Sequence, residues 1–330
     1  MLWTTLIAVI VIALFFDFTN GFHDTANSIA TVIATRVLSP RQAILMAVVL
    51  NFAGALSGTA VAATVGKGIV DPKAVTQVVI AAALASAIAW NFVTWYFGIP
   101  SSSSHALIGG LVGAGMAFQG SGILNGPGLE AVVLSLLVSP VLGFIFGFIL
   151  MIVIIWIVFR QSPHVVNEHF RRLQLLSSAF MSFSHGSNDA QKTMGVITGV
   201  LFTSGYLKTF DVPIWVILSA HAAIALGTLS GGWRIVHTMG GRLTRLKPRS
   251  GFCAETGAAA SVLLSTYMGT PVSTTHAIAG AIAGVGSIQR MKAVRWGIAT
   301  NIVWAWVLTI PAAATIAWLS YFALHFTIVK

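Results

Sequence analysis

Long apolar runs without a charged side chain dominate this sequence. Four such windows cover residues 42–66, 74–129, 131–159 and 296–329, whereas a membrane-spanning helix needs only about 20 apolar residues. Charged residues make up 8% of the chain, against about 25% in soluble domains, so this much apolar surface has no place in a water-soluble fold. We therefore expect an all-α polytopic membrane protein, which excludes a soluble enzyme, a secreted disulfide-linked domain and a nucleic-acid-binding module.

Basic side chains are concentrated in short loops between the apolar runs. The formal net charge is +10, and most Lys and Arg residues cluster in segments 36–41, 160–172, 234–249 and 290–295. Because membrane proteins keep such loops on the cytoplasmic side, all four are predicted to be cytoplasmic and both termini to lie outside. The pattern predicts a multi-pass protein and explains the positive charge without nucleic acid.

Two polar motifs occur twice, in the same order. GFHD at residues 21–24 is matched by GSND at 186–189, and GIPSSSSH at 98–105 is matched by GTPVSTTH at 269–276. Matching motifs in the same order indicate an internal duplication.

The duplication divides the chain into two halves, residues 1–160 and 174–330, joined by a short cytoplasmic loop at 161–173. Together with the charge pattern, it predicts that the halves have opposite orientations in the membrane. Inverted repeats with broken or re-entrant helices at matching positions are typical of secondary transporters, which bind substrate where the repeats meet. We therefore expect an inverted-topology repeat transporter fold acting as one transport domain; a duplicated scaffold without transport is the alternative.

The first repeated motif carries carboxylates into apolar segments. A charge at mid-membrane costs about 2.5–3.5 kcal/mol on insertion scales, which is tolerated where the group faces a cavity or an ion. The glycine of each motif is expected to break its helix and free backbone groups for ligands. Asp24 and Asp189 are expected to face each other, and two facing carboxylates favour a proton or cation between them.

The second repeated motif places proline and hydroxyl residues inside an apolar segment. Proline suits the first turn of a helix and hydroxyls suit the N-cap, so residues 101–104 and 273–275 are predicted to begin helices. Hydroxyls, free N–H groups and the positive end of the helix dipole together form an anion site. The alternative is that these small residues only allow close helix packing. Hydrogen-bond donors for an anion, together with carboxylates that bind a cation or proton, predict a symporter that carries an anion with a cation.

At these residues the sequence resembles the inorganic phosphate transporter family. The resemblance is carried by residues 21–27 (GFHDTAN), 186–189 (GSND) and 251–276 (GFCAETGAAASVLLSTYMGTPVSTTH), and it covers nearly the whole chain. It implies a homodimer in the plasma membrane that transports inorganic phosphate together with Na⁺ or H⁺, and no enzymatic activity. By position it assigns phosphate contacts to Asn27, Ser102, Ser103, Ser104, Asn188, Ser273, Thr274 and Thr275. It also assigns ion coupling to Asp24, Asp189 and Glu255, the last of which matches a glutamate that the family carries before its second hydroxyl segment.

Two departures from the family pattern bear on the coupling ion. The common first motif reads GAND, where this chain has GFHD with His23, and many members have a glutamate where this chain has Asn51. Both features resemble the bacterial, proton-coupled branch, which carries neutral metal–phosphate complexes. Histidine titrates near neutral pH and suits a proton carrier. We therefore expect proton-driven transport of phosphate, either bare or as a neutral complex with a divalent metal, across a bacterial inner membrane. No cofactor is expected beyond the co-transported ion.

Several alternatives remain open at this point. Na⁺ coupling would use Asp24 and Asp189 as ligands, and a passive anion channel would have no use for paired carboxylates. An intramembrane hydrolase would use Ser104 or Thr275 as nucleophile, but it needs one site and the motif occurs twice. Lys192 is expected to neutralise Asp189 or else to reach phosphate.

The sequence allows two alternative roles for each of four further side chains. His105 and His276 either pack helices or shuttle protons. Glu255 either takes part in ion coupling or forms a salt bridge with the basic loop that lies close to it in sequence. Asp17 could line a pore or bind a second ion.

Overall fold

The computed structural model describes residues 2–69, 75–289 and 293–328. Its α-helices are α1 (Leu2–Ala34), α2 (Pro40–Ala53), α3 (Ala60–Gly68), α4 (Gln77–Phe97), α5 (Ser103–Gln119), α6 (Gly126–Val158), α7 (Pro163–Thr203), α8 (Ile214–Ser230), α9 (Trp233–His237), α10 (Pro248–Tyr267), α11 (Thr274–Gln289) and α12 (Trp296–Ile328). Two 3₁₀ turns and a π-turn extend them at Gly54–Ser57, Gly120–Ile123 and Thr238–Arg242. No strand occurs within the described ranges, which confirms the all-α prediction.

The helices have the length and composition of membrane spans. Within the described part of the chain, six apolar stretches are long enough to cross a bilayer: Trp3–Ala34, Pro40–Ser57, Gln77–Phe97, Ser103–Ile123, Gly126–Val158 and Trp296–Thr327. The pair Ile214–Ser230 and Trp233–Arg242 forms a seventh if its 67° bend lies within one span. The polytopic membrane fold expected from the charge-free windows is therefore confirmed.

The hydroxyl motifs interrupt their helices, as predicted. Gly98 ends α4 with φ +66°, and Gly269 follows α10 with φ +71°, a left-handed conformation that glycine adopts without strain. Ser102 and Ser273 then cap the next helices, since their hydroxyls accept hydrogen bonds from the backbone N–H groups of His105 and His276, each at 3.2 Å. The result is two similar helical hairpins, α4–α5 and α10–α11.

The predicted helix breaks at the acidic motifs are wrong. Helix α1 continues through residues 21–24 and α7 through 186–189. Glycine is needed there for close packing: a Cβ atom at Gly21 would collide with the backbone of Ile224 in α8, and one at Gly186 with the backbone of Asn51 in α2. The polar groups at these motifs are therefore side chains on intact helices.

The segment expected to be a central loop, 161–173, is helical from its third residue. Ser162 caps α7 by accepting a hydrogen bond from the N–H of Val165 at 3.4 Å, and Pro163 fits the first helical position. Helix α7 therefore extends from the join between the halves through the second acidic motif and on to Thr203.

Helices α6 and α12 each pack on the hairpin of the other half. Helix α6 contacts α11 and α12 contacts α5. Glycines make this possible, because a Cβ at Gly113 would collide with the backbone of Ala314 and one at Gly280 with that of Pro140. Helix α6 stays continuous at Pro140, where the Ser139 hydroxyl donates to the Leu136 carbonyl at 2.9 Å, the acceptor that proline's missing N–H leaves unpaired.

Candidate substrate and ion site

Helices α1 and α7 bring the two acidic motifs together in the protein interior. Asp24, Asp189 and His185 are almost fully buried, and one potential ligand atom from each lies within 4.8 Å of the others. The carboxylates of the two repeated motifs therefore meet, and we call them the Asp24–Asp189 pair. Two nearby carboxylates require a counter-charge or a shared proton.

Asp24 is held by partners from three helices. The Nδ1 atom of His23 lies 2.6 Å from Asp24 Oδ1. The hydroxyl of Ser103, at the start of α5, donates to Asp24 Oδ2 at 3.2 Å, and the hydroxyl of Thr275, at the start of α11, donates to Oδ1 at 3.4 Å. One carboxylate thus receives donors from both hydroxyl motifs.

The His23 ring links this carboxylate to the first hairpin. Its Nε2 atom lies 2.9 Å from the Thr94 hydroxyl and 3.4 Å from that of Ser101. The two ring nitrogens therefore connect Asp24 to a short hydroxyl chain, an arrangement in which a histidine can pass a proton from one side to the other.

Asp189 is paired with a cationic side chain. Lys192 Nζ contacts Asp189 Oδ1 one helical turn away and also donates to the Ser104 hydroxyl and, at 2.9 Å, to the Val272 carbonyl. Thr274 donates to Asp189 Oδ2 at 2.9 Å, and His185 Nε2 lies 3.1 Å from the same oxygen. The predicted neutralisation of Asp189 by Lys192 is therefore present.

The two amides assigned by position behave differently. Asn27 Nδ2 donates to the hydroxyls of Thr274 and Thr275 at 3.2 and 2.9 Å, so it lies within the group around the Asp24–Asp189 pair. Asn188 Nδ2 donates to Thr266 at 2.8 Å, which directs this amide group to the last turn of α10.

Glu255 lies in a separate polar cluster. Its Oε1 atom accepts hydrogen bonds from Thr31 at 2.5 Å and Gln174 at 3.0 Å, and its Oε2 atom accepts one from Ser177. These three donors are neutral and join α1, α7 and α10. The alternative of a salt bridge to the basic loop that precedes α10 does not fit this arrangement.

His105 and His276 pack against each other at the hairpins. Their ring centroids are 4.5 Å apart, and His276 stacks on Trp306 at 3.8 Å. Trp306 also donates to the Pro100 carbonyl at 3.0 Å. Helix α12 therefore contacts the segments in which α5 and α11 begin. The geometry favours the packing role for both histidines.

His185 is the site residue that the motifs alone did not assign. It precedes Asp189 by four residues on a helix, a spacing that places two side chains on one face, so the signal was present. Its Nδ1 atom lies 3.1 Å from Asn51 Oδ1. Asn51, which the sequence marks only as a departure from the family pattern, therefore adjoins the site.

The arrangement can hold an oxyanion beside a cation or a proton. The starts of α5 and α11 converge on the carboxylates and bring hydroxyl donors with them, while Lys192 adds a positive charge. Helix N-termini with hydroxyl groups bind anions, and carboxylates with imidazole bind protons or divalent cations. A buried site of this kind, between two hairpins of a helical membrane protein, is typical of a secondary transporter.

Comparison with known proteins gives the same class. The model of the phosphate transporter family matches residues 20–317, and the chain belongs to this family. It is 56% identical over 320 residues to a probable low-affinity inorganic phosphate transporter of Rhizobium meliloti (strain 1021), covering 96% of each chain. It is 46% identical over 323 residues to one of Bacillus subtilis (strain 168), covering 97% of each.

A solved structure has the same fold. The chain superposes on the structure of a protein described as "The sodium-dependent phosphate transporter" with a TM-score of 0.92 at 28% sequence identity, covering 98% of this chain and 100% of the other. The resemblance inferred from the motifs is therefore confirmed, and the protein is a transporter rather than an enzyme.

Proposed function

We propose that the protein moves inorganic phosphate across the bacterial plasma membrane and that the proton gradient drives this transport. The observation that carries the proposal is that each carboxylate of the Asp24–Asp189 pair already has a basic partner. His23 lies against Asp24 and Lys192 against Asp189. A site balanced in this way can change its charge by one proton without needing a metal ion at either carboxylate.

Phosphate would bind between the starts of α5 and α11. The hydroxyls of Ser103, Ser104, Thr274 and Thr275 converge there, and Asn27 supports the last two. Ser102 and Ser273 accept backbone hydrogen bonds as caps, but each hydroxyl retains a proton to donate. The helix dipoles and Lys192 supply positive potential.

Competition for the hydroxyl donors would couple phosphate to protons. In this structure Ser103 and Thr275 donate to Asp24, and Thr274 donates to Asp189. A bound oxyanion would take these donors and leave buried carboxylates without them, which costs about 1–3 kcal/mol or more for each charged group. Protonation of the site removes that penalty, so phosphate and proton bind best together.

The same site supports transport of a metal–phosphate complex. Asp24, Asp189 and His185 offer two carboxylate oxygens and one imidazole nitrogen within 4.8 Å of one another, a set that suits a divalent cation. Such a cation would enter as cargo bound to phosphate, and the complex would cross with less net charge. Sodium dependence is a property of the structural relative that is 28% identical; here Lys192 supplies a cation next to Asp189.

The test is uptake of radiolabelled phosphate into proteoliposomes with independently imposed gradients of H⁺ and Na⁺, with and without Mg²⁺. We expect accumulation with an inward proton gradient in Na⁺-free buffer, and faster uptake with Mg²⁺ if the complex is the cargo. Accumulation that follows Na⁺ and ignores pH would overturn proton coupling. Uptake that never exceeds equilibrium under any gradient would indicate a channel.

A further inference from the structure

A third carboxylate lies on the same face of α1 as the phosphate and ion site. Asp17, Asn20, Asp24, Asn27 and Thr31 are spaced by three and four residues and therefore share one face of the helix. All five are buried, and Asp17 is 0% exposed. Two turns of helix, about 10 Å, separate Asp17 from Asp24.

Asp17 has no hydrogen-bonding partner of normal geometry. Neither of its carboxylate oxygens accepts a hydrogen bond of standard geometry from a described residue, and the side-chain oxygens of Asn20 and Thr193 likewise make none. The side chains of Asn20 and Thr193 lie within hydrogen-bonding reach of the Asp17 carboxyl group. Four buried oxygen atoms thus lie in one place without a well-formed hydrogen bond between them, whereas most buried polar atoms in proteins are paired.

A charged carboxylate in these surroundings is strongly disfavoured. An isolated buried ion carries a desolvation penalty of several kcal/mol unless a partner compensates it. A proton on Asp17 removes the charge and also creates an O–H donor, for which the unpaired oxygens of Asn20 and Thr193 are ready acceptors. One proton therefore both neutralises the Asp17 carboxylate and provides a hydrogen bond to a neighbouring oxygen.

The charges around Asp17 connect it with the transport site. Asp189 and Lys192 on α7 both lie within electrostatic range of Asp17 and act in opposite directions. The helices packed along this part of α1 are α4, α7 and α8. Their ionisable side chains are Tyr96 on α4, His221 on α8 and, on the part of α7 that follows Arg172, His185, Asp189 and Lys192; α1 itself adds His23 and Asp24.

We propose that Asp17, with Asn20 and Thr193, forms a second proton-binding site that exchanges its proton with the Asp24–Asp189 pair during transport. This inference rests on the proposed function and adds to it the residue that stores the proton. When phosphate draws Lys192 away from Asp189, the Asp189 carboxylate loses its positive partner and takes up the proton that Asp17 releases, which crosses along the polar face of α1.

The test compares Asp17→Asn with Asp211→Asn, which removes an exposed loop carboxylate bonded to Thr209, in the full-length protein reconstituted into liposomes. Infrared difference spectra at neutral pH report protonated carboxyl groups, and a pH dye trapped inside the liposomes reports proton entry. We expect Asp17→Asn to lose one protonated-carboxyl band and to lose concentrative uptake and proton entry, while phosphate counterflow continues. Asp211→Asn should match the wild type in all three.

Each outcome decides the proposal. An unchanged carboxyl band in Asp17→Asn, or normal proton entry with phosphate, would overturn it. If the wild type shows no proton-driven uptake, the proposed function is wrong, and the infrared band still decides whether Asp17 binds a proton. If Asp17→Asn does not fold, Asp17→Glu must keep a protonated-carboxyl band at a shifted frequency; a spectrum identical to wild type would contradict the assignment.

Discussion

Thr275, at the start of α11, donates a hydrogen bond to Asp24 of α1 at 3.4 Å. The two residues belong to different halves of the chain, and their sequence motifs are also different. The Thr275 hydroxyl, which we expect to donate a hydrogen bond to phosphate, donates to a carboxylate instead when phosphate is absent. Binding of phosphate would therefore take this donor away from Asp24. This shared donor is the physical basis of the coupling that we propose.

Replacing either carboxylate of the pair by an amide should abolish concentrative uptake. Asp24→Asn and Asp189→Asn each remove a group that changes its charge state, while they keep the shape of the side chain. Uptake driven by a proton gradient is the measurement, with size-exclusion elution as a check of assembly. Near-normal accumulation in either variant would remove that carboxylate from the mechanism.

The Lys192–Asp189 pair should show strong non-additivity in stability. Removing one partner of a buried ion pair costs about 3–5 kcal/mol because the other charge is left uncompensated. Lys192→Met and Asp189→Asn should each lower the thermal unfolding midpoint in detergent, and the double variant should unfold at a higher temperature than at least one of the single variants. Additive effects would mean that the two charges do not interact.

Removing a hydroxyl that contacts Asp24 should weaken phosphate uptake. Ser103→Ala and Thr275→Ala each delete a donor that phosphate would use, and a hydrogen bond to a charged group is worth about 1.5–3 kcal/mol. Because each hydroxyl also donates to Asp24 in the free protein, part of this loss cancels, and the expected rise in KM is up to roughly tenfold. Thr315→Ala is the matched control, because Thr315 is exposed on α12 and bonds only within its helix. An unchanged KM in both site variants would place phosphate elsewhere.

Adding a methyl group at Gly186 should destabilise the protein. The new Cβ would collide with the backbone of Asn51, and overpacking of this kind costs about 1–3 kcal/mol. Gly297→Ala is the control, since nothing lies within 4 Å of a Cβ there. The measurement is thermal unfolding in detergent, and equal midpoints for the two variants would contradict close packing of α2 on α7.

The hairpins were predictable because their signals are local. Glycine at 98 and 269, proline two residues later and serine two residues after that specify a helix end and a new helix start without reference to the rest of the fold. The meeting of Asp24 with Asp189 was expected from the repeated sequence motifs, since transporters built from repeated halves bind their substrates where the halves meet.

Other features depended on tertiary contacts that sequence does not reveal. Glycine at position 21 is compatible with a helix break and with close helix packing, and only the approach of Ile224 from α8 decides between them. The donors to Glu255 come from α1 and α7, so its separation from the Asp24–Asp189 pair required the fold. His185 was the exception, because its spacing from Asp189 already placed the two on one helix face.

The location of the bound oxyanion tests the shared-donor mechanism most directly. Arsenate has the shape and charge of phosphate and scatters X-rays anomalously, so a crystal of the protein soaked in arsenate at low pH would show its position. We predict one anomalous peak between the starts of α5 and α11, within hydrogen-bond distance of Ser103 and Thr275. A peak away from these hydroxyls, with the Asp24–Asp189 pair still bonded to them, would contradict the mechanism.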